Sequence, residues 1–552
     1  MSPIYGLHFH NIKGDLFGGL TAAVVALPLA LAFGVSSGAG AIAGLYGAVF
    51  VGLFAALFGG TPSQVSGPTG PMTVVMASVF TQFVALDPVN GAYYAFTVVM
   101  MGGLLQTLFG LLRLGKYVTL VPFPVISGFM TGIGIIIILL ELGPMFGYPS
   151  SSNTVEALEQ IPHYITDANL AALLLGSVTL GIVLFCPNKI GDVIPPTLLA
   201  LVVGTLIYQL FHGETDLAVI GHIPTGMPSL MLPTFSLSIL SDMLFAALML
   251  AVLGSIDSLL TSLVADNMTK VQHDSDRELI GQGIGNMVAG LFGGLPGAGA
   301  TMRTVVNIKA GGRTPLSGGF HALILIIILL GAAPLAEDIP HAVLAGILIK
   351  VGLDIIDWRF LSRLHRAPLF VAALMLLVLG LTVMVNLVTA VFVGMFIANV
   401  VTVKGLADHQ LDSIRVIDSH AGKDEQLTPR ERALLAETRG RVILYQFDGP
   451  VSYAASKGLA AKLQGRRPHD ALLMDFTRVP LIDVSTALAI EDMIVEAQTL
   501  GRDVHMIGLN PIVKDILQRF RVLDLIPPNC CHHTREAGLE MAYAMVFRDE
   551  LS

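Results

Sequence analysis

The sequence predicts a polytopic α-helical membrane protein of fourteen spans in a seven-plus-seven inverted repeat, two of them half-helices, followed by a small α/β domain. Three observations predict it. Hydrophobic residues make up 54% of the 552-residue chain and charged residues only 13%, with a mean hydropathy of +0.74; a soluble chain carries about a quarter charged residues. Apolar stretches long enough, or nearly so, to cross a bilayer recur throughout residues 1–404. Beyond residue 440, short apolar runs alternate with helical patterns.

The apolar segments fall near 15–34, 40–59, 68–86, 93–112, 121–146, 168–186, 193–211, 238–264, 279–295, 300–312, 315–334, 338–354, 367–386 and 387–403. Charge supports the count. Arg113 and Lys116, Lys189, Lys270 and Arg277, Lys309 and Arg313, and Arg359, Arg363 and Arg366 follow even-numbered segments. Loops after odd-numbered segments carry Asp87, Glu156, Asp167, Glu214, Asp216, Glu337 and Asp338, and no Lys or Arg. Cationic loops stay in the cytoplasm during insertion, so both termini are expected there, in a multi-pass protein of a bacterial inner membrane. Lys13 and Asp15 precede the first run, and no cleavable signal peptide is evident. The net charge of −9 says little, because acids crowd the C-terminal third. Cys186, Cys530 and Cys531 supply no disulfide framework or zinc spacing. Cys530-Cys531-His532-His533 reads as an incidental cluster rather than a metal site.

The membrane part repeats. Pro122, Gly128 and Gly134 recur at the same spacing as Pro340, Gly346 and Gly352. SGPTGPM (66–72) recurs as PGAGATM (296–302). Seven spans separate the copies, so the second is inserted upside down, the plan of secondary transporters. The second pair also interrupts its segments. Glycine lets a ligand approach the backbone and proline tolerates only the first helical turn, so each motif reads as an unwound stretch leading into a half-helix. Two half-helix N-termini facing each other make a mid-membrane anion site, with Thr69 and Thr301 adding hydroxyl donors.

Four further polar features stand out in the apolar segments. Asp257 lies within the eighth segment, and Thr261 one turn later on the same face. That pair suits Na⁺, completed by backbone carbonyls of the broken tenth segment, or a proton on Asp257, or Asp257 is a structural partner for Arg303. Arg303, a charge beside an interrupted segment, would bind the anion or only raise the local potential. Glu278, Gln282 and Asn286 form a polar stripe that reads as packing between helices. Lys350 is expected to snorkel.

Residues 1–404 are therefore the transport domain, 405–440 a polar linker with a short helix near Pro429, and 441–552 a soluble α/β domain. In the last, 441–449, 471–476 and 503–509 read as strands, and 484–501 and 511–520 as helices.

GDLFGGLTAAVVALPLALAFG (14–34), GTPSQVSGPTGPMTVV (60–75), IDSLLTSLVAD (256–266) and GQGIGNMVAGLFGG (281–294) resemble the sulfate-permease (SulP) family of anion transporters, which couples a fourteen-span domain to a cytoplasmic STAS domain. GATMRTVVNIKAGGRT (299–314) and VGLDIIDWRFL (351–361) are most similar to its BicA-type bicarbonate branch. The resemblance implies a core domain moving against a gate domain, a homodimer, Thr69, Ala300 and Thr301 on the anion, and Asp257 and Thr261 on Na⁺ as coupling ion. Arg303 follows the wider family pattern and leaves bicarbonate and sulfate both open. Asp475 to Thr486 resembles the STAS loop in which Ser485 falls at a phosphorylated position of related soluble proteins; the plainer role for Ser485 is to cap the helix that follows.

The expected activity is Na⁺-coupled bicarbonate uptake by alternating access. The alternatives are proton-coupled sulfate symport, a passive exchanger or channel, or a membrane-tethered regulator meeting a cytoplasmic partner through its STAS domain. No P-loop, paired acid/base motif, metal spacing or nucleic-acid motif points to an enzyme or to nucleic acid.

Overall fold

The computed structural model describes residues 4–118, 121–151, 153–191, 194–210, 217–222, 228–331, 336–385, 387–417, 427–451 and 469–547; Glu214 and Asp216 lie outside them. The chain divides into two compact units, Met1–Phe396 and Ile397–Ser552.

Each apolar segment carries a helix. In order they are α1 (Ile12–Ser36), α2 (Ala41–Phe58), a two-residue strand β1 (Ser66–Gly67), α3 (Gly70–Leu86), α4 (Gly91–Leu111) and a single turn α5 (Gly115–Val118). Then come α6 (Phe123–Met145), α7 (Thr154–Thr166), α8 (Leu170–Phe185), the turn α9 (Asn188–Gly191) and α10 (Pro196–Leu210). The second half runs α11 (Leu240–Thr269), α12 (Ser275–Leu291), β2 (Ala298–Gly299), α13 (Thr301–Lys309), α14 (Pro315–Gly331), α15 (His341–Ile355), the turn α16 (Trp358–Leu361), α17 (Leu369–Met384) and α18 (Leu387–Ser413). By length and composition α1, α2, α4, α6, α11 and α18 can each cross a bilayer alone, and α7 with α8 forms a pair bent by 112°. The others are shorter, and α13 has only nine residues.

Glycine decides how these helices meet. A Cβ at Gly134 would lie 2.5 Å from the Gly352 carbonyl oxygen, and one at Gly352 would lie 2.8 Å from that of Gly134. The second glycines of the two repeated motifs therefore touch each other where α6 crosses α15. Likewise α4 and α12 approach at Gly103 and Gly283, where each Cβ would fall 2.5 Å from the other's carbonyl oxygen. Without side chains at these positions the backbones pack by dispersion alone, as small residues permit in lipid.

In the second unit a five-stranded sheet has the order β3 (Arg415–Ile417), β4 (Val442–Asp448), β5 (Ala471–Arg478), β6 (Asp503–Ile507), β7 (Cys531–His532). β3 is antiparallel to β4; the other pairs are parallel. Helices Val484–Thr499 and Pro511–Arg519 bury Ala487, Ile490, Ile494, Val513 and Leu517 on one face. Helices Pro429–Glu437 and Arg535–Val546 bury Leu435, Leu539 and Ala542 on the other. Parallel strands need both faces covered, hence the mostly apolar β4 and β5, whose first six residues are all buried. Residues 415–417 and 429–437, expected between the domains, supply this unit's edge strand and a covering helix.

Candidate anion site

β1 and β2 pair antiparallel, Ser66 opposite Gly299 and Gly67 opposite Ala298. This two-rung ladder brings the interrupted stretches together, so that α3 and α13 begin beside one another. The crossing needs glycine: a Cβ at Gly297 would meet the Gly67 backbone at 2.5 Å, and one at Gly67 would meet Arg303 Nη1 at 2.6 Å. Thr69 and Ala300 stand at the N-caps of α3 and α13 in extended conformation, and neither supplies a side-chain capping bond. The first-turn N–H groups of both helices are the donors such a terminus offers an anion.

The polar stripe on α12 holds this crossing in place. Asn286 Nδ2 donates to the Gly297 carbonyl at 3.0 Å, and its Oδ1 accepts from Gly297 N–H at 2.7 Å. Gln282 Nε2 donates to Ser66 Oγ at 2.6 Å. Glu278 accepts from the N–H groups of Gly60 and Thr61 and from Gln64 Nε2. All three are buried. The stripe packs helices, as its spacing suggests, and it does so by clasping both interrupted segments. The i, i+4, i+8 spacing signalled a common face; nothing in it signalled the partners.

Asp257 and Thr261 arrive from α11. Thr261 donates to the Gly299 carbonyl at 2.9 Å and lies 2.7 Å from the Thr301 hydroxyl. Ser258 Oγ, which sequence reasoning missed, accepts from Gly299 N–H at 3.0 Å. Asp257 Oδ2 is shut off from solvent with no hydrogen-bond partner, and so is the Thr69 hydroxyl facing it. A carboxylate, hydroxyls and a backbone carbonyl form an all-oxygen set, the chemistry that a hard cation prefers. Uncompensated, the Asp257 carboxylate would be a costly buried group.

Arg303 lies within electrostatic reach of Asp257 without forming an ion pair with it. It is 3% exposed on the face of α13 that also buries Thr304 and Asn307. Its Nη2 donates to the Pro68 carbonyl, and its Nη1 has no hydrogen-bond partner. Among the described residues it forms no ion pair, with Asp257 or otherwise. Its side chain braces the stretch that follows β1 through Pro68, while Thr301 and Met302, immediately before it, are exposed. His321 on α14, also missed, is fully buried with both ring nitrogens unpartnered and lies within the electrostatic reach of Arg303. A histidine inside an apolar run was the available signal.

Ser485 is distant from this site in sequence and belongs to the second unit. It is exposed. The cap of its helix is Asp483, whose Oδ1 accepts from Thr486 N–H and Thr486 Oγ1, each at 2.8 Å. The plainer expectation for Ser485 is thus corrected: a carboxylate two residues earlier already satisfies the free N–H group. Lys350, expected to snorkel, pairs with Asp354 on its own helix.

Residues 12–378 match the sulfate permease family. The chain belongs to that family. Residues 433–537 match the STAS domain. The chain is 48% identical to a bicarbonate transporter, BicA, of Synechocystis sp., over 97% of this chain and 95% of that one. The solved transmembrane domain of a cyanobacterial bicarbonate transporter BicA shares 55% identity at a TM-score of 0.67, covering 70% of this chain and 100% of that one. The overall structure of SLC26A9 superposes at a TM-score of 0.81 with 18% identity, over 98% of this chain and 91% of that one, and so shares the fold. The sulfate permease family member described here is a membrane anion transporter with a helical membrane core and a STAS domain, and not an enzyme.

Proposed function

We propose that this transporter takes up bicarbonate coupled to Na⁺, by alternating access. The reading is carried by one observation: the antiparallel crossing of β1 and β2 sets the starts of α3 and α13 beside Asp257, whose Oδ2 is shut off from solvent and faces the Thr69 hydroxyl. The anion would sit on the first-turn N–H groups with the Thr69 and Thr301 hydroxyls and the Ala300 backbone. Na⁺ would sit on Asp257, Thr261, Thr301 and the Gly299 carbonyl. Each charge then favours binding of the other, which is what coupling requires. The family's relatives that transport bicarbonate support the choice of anion.

We further propose fourteen crossings in two inverted halves, with the basic loops in the cytoplasm. The contact of Gly134 with Gly352 supports the pseudo-symmetry. Met302 is 60% exposed and Leu263 39% exposed on the basic side of Asp257, whereas Phe33 and Thr73 on the acidic side are each 3% exposed. This favours a cytoplasm-facing state of a moving core.

The test is uptake of labelled bicarbonate into proteoliposomes with and without an inward Na⁺ gradient; uptake indifferent to Na⁺ would sink the coupling. Arg303 favours a second reading, proton-coupled sulfate symport, because its buried charge raises the potential behind the site more usefully for a dianion. Labelled sulfate in the same vesicles, against Arg303→Met, separates the two.

A further inference from the structure

The acidic side of the pathway contains a carboxyl that the transport reading above does not use. Glu141 lies near the end of α6 and is 3% exposed. One carboxyl oxygen, Oε1, has no hydrogen-bond partner; the side chain's polar neighbour is the Ser36 hydroxyl at the end of α1. Beside them runs a narrow cavity lined by Phe33, Ser36, Gly70, Thr73, Ala77 and Leu140. It starts at Gly70, the first residue of α3 and part of the candidate anion site, and follows α3 toward the acidic loops. With about 10 Å³ of free room it holds one water at most. This is the continuation of the pathway past the site, closed by α1 and α3 against α6 and α15.

Among the described residues no charged side chain lines the cavity itself. α3, α8 and α17, which pack on α6, carry no ionisable side chain, and Glu141 is the only one on α6. Among the neighbouring helices, α7 carries Glu156, Glu159, His163 and Tyr164; α15 carries His341, Lys350 and Asp354; α1 carries Lys13 and Asp15 at its far end. Lys350 pairs with Asp354, His163 with Asp167, and Asp15 binds the Thr314 N–H and hydroxyl. Among the described residues no cation meets Glu141.

We propose that Glu141 is a further residue of the transport cycle, a proton-operated latch on the outer half of the pathway: protonated, it lets the α1–α3 wall close on α6, and ionised, it favours the opened, hydrated path. A neutral acid with one hydroxyl neighbour is tolerated in a dry seam. A carboxylate there has one donor and no counter-ion, and it gains its hydration only when the seam parts. Opening therefore releases one proton. The open population rises with external pH, by at most about tenfold per unit, until the carboxyl is ionised in both states. The orientation, acidic side outward, rests on the reading under Proposed function.

The test needs no transported anion, so failure of the bicarbonate reading leaves it intact. Ala77→Cys lines the closed cavity, and Val89→Cys, in a loop residue 78% exposed, is the open reference. Full-length protein in sealed vesicles is labelled from outside with a membrane-impermeant methanethiosulfonate, the parent with its three cysteines serving as blank. Dividing the labelling rate of Ala77→Cys by that of Val89→Cys cancels the thiols' own ionisation. This ratio should rise about tenfold from pH 5 to pH 8. Glu141→Gln should hold the ratio at its acid value at every pH. Ser36→Ala, which removes the one donor to the carboxylate, should extend the rise to higher pH. A flat ratio in the parent background, or a pH dependence that survives Glu141→Gln, overturns the proposal.

Discussion

Asp257 is the residue on which the transport reading turns. Its Oδ2 is buried without a partner, while Thr261, one turn on, donates to the Gly299 carbonyl. Asp257→Asn keeps the shape and removes the charge. Na⁺-dependent bicarbonate uptake should fall by at least about a hundredfold, the equivalent of about 2.7 kcal/mol, with the protein still present in the membrane. Wild-type uptake and Na⁺ dependence in this variant would remove Asp257 from coupling. Its candidacy was legible in sequence, because a lone carboxylate in an apolar run is rare. So was Thr261, by helical spacing. The direction of Arg303 was not legible. On a helix of nine residues the face it takes is set by packing against Gly67 and Pro68, contacts made with a segment more than two hundred residues away in sequence.

At the scale of elements, the half-helices begin where they do because α12 clasps both. Asn286 alone satisfies the N–H and the carbonyl of Gly297. Asn286→Ala strands both groups in a buried place, each costing about 1–3 kcal/mol. The expected result is a lower melting temperature in detergent, and a raised KM for the anion because the α13 start shifts. A variant with unchanged KM and unchanged melting would mean that the ladder between β1 and β2 needs no brace. The two interrupted motifs were legible as a pair from their Gly and Pro content. Their ladder was not, because two residues form too short a strand to leave a period-2 pattern. The short helix at 429–437 was legible within the polar stretch, but the edge strand at 415–417 was hidden for a related reason: three residues carry no periodicity of their own.

At the scale of the whole molecule, the membrane unit holds all the proposed ligands, so removing residues 441–552 should slow uptake or impair assembly and leave the preference between bicarbonate and sulfate unchanged. A changed preference would place part of the site's control in the STAS domain. That domain carries its own dependence on pH. His505 and His532 stack at 5.3 Å, with Nδ1 of the first 3.1 Å from Nε2 of the second. They sit on adjacent strands, His505 fully buried. Burial, and then the neighbouring His532, push His505 down to about 4; burial lowers His532 as well. At pH 7 His505 is neutral folded and unfolded, so its stability contribution is fully present. Below about 6.5 the unfolded chain takes up a proton that the folded domain refuses. Stability is then lost as pH falls, until about pH 4, where the folded form also protonates; the total is about 3 kcal/mol. Hydrogen exchange at the amides of β6 in the full-length protein, corrected for intrinsic rates, should therefore lose protection progressively between pH 6.5 and pH 4. His505→Phe keeps the ring, removes the titration, and should flatten that profile. Protection that falls equally in both proteins would assign the acid sensitivity to carboxylates elsewhere in the sheet domain.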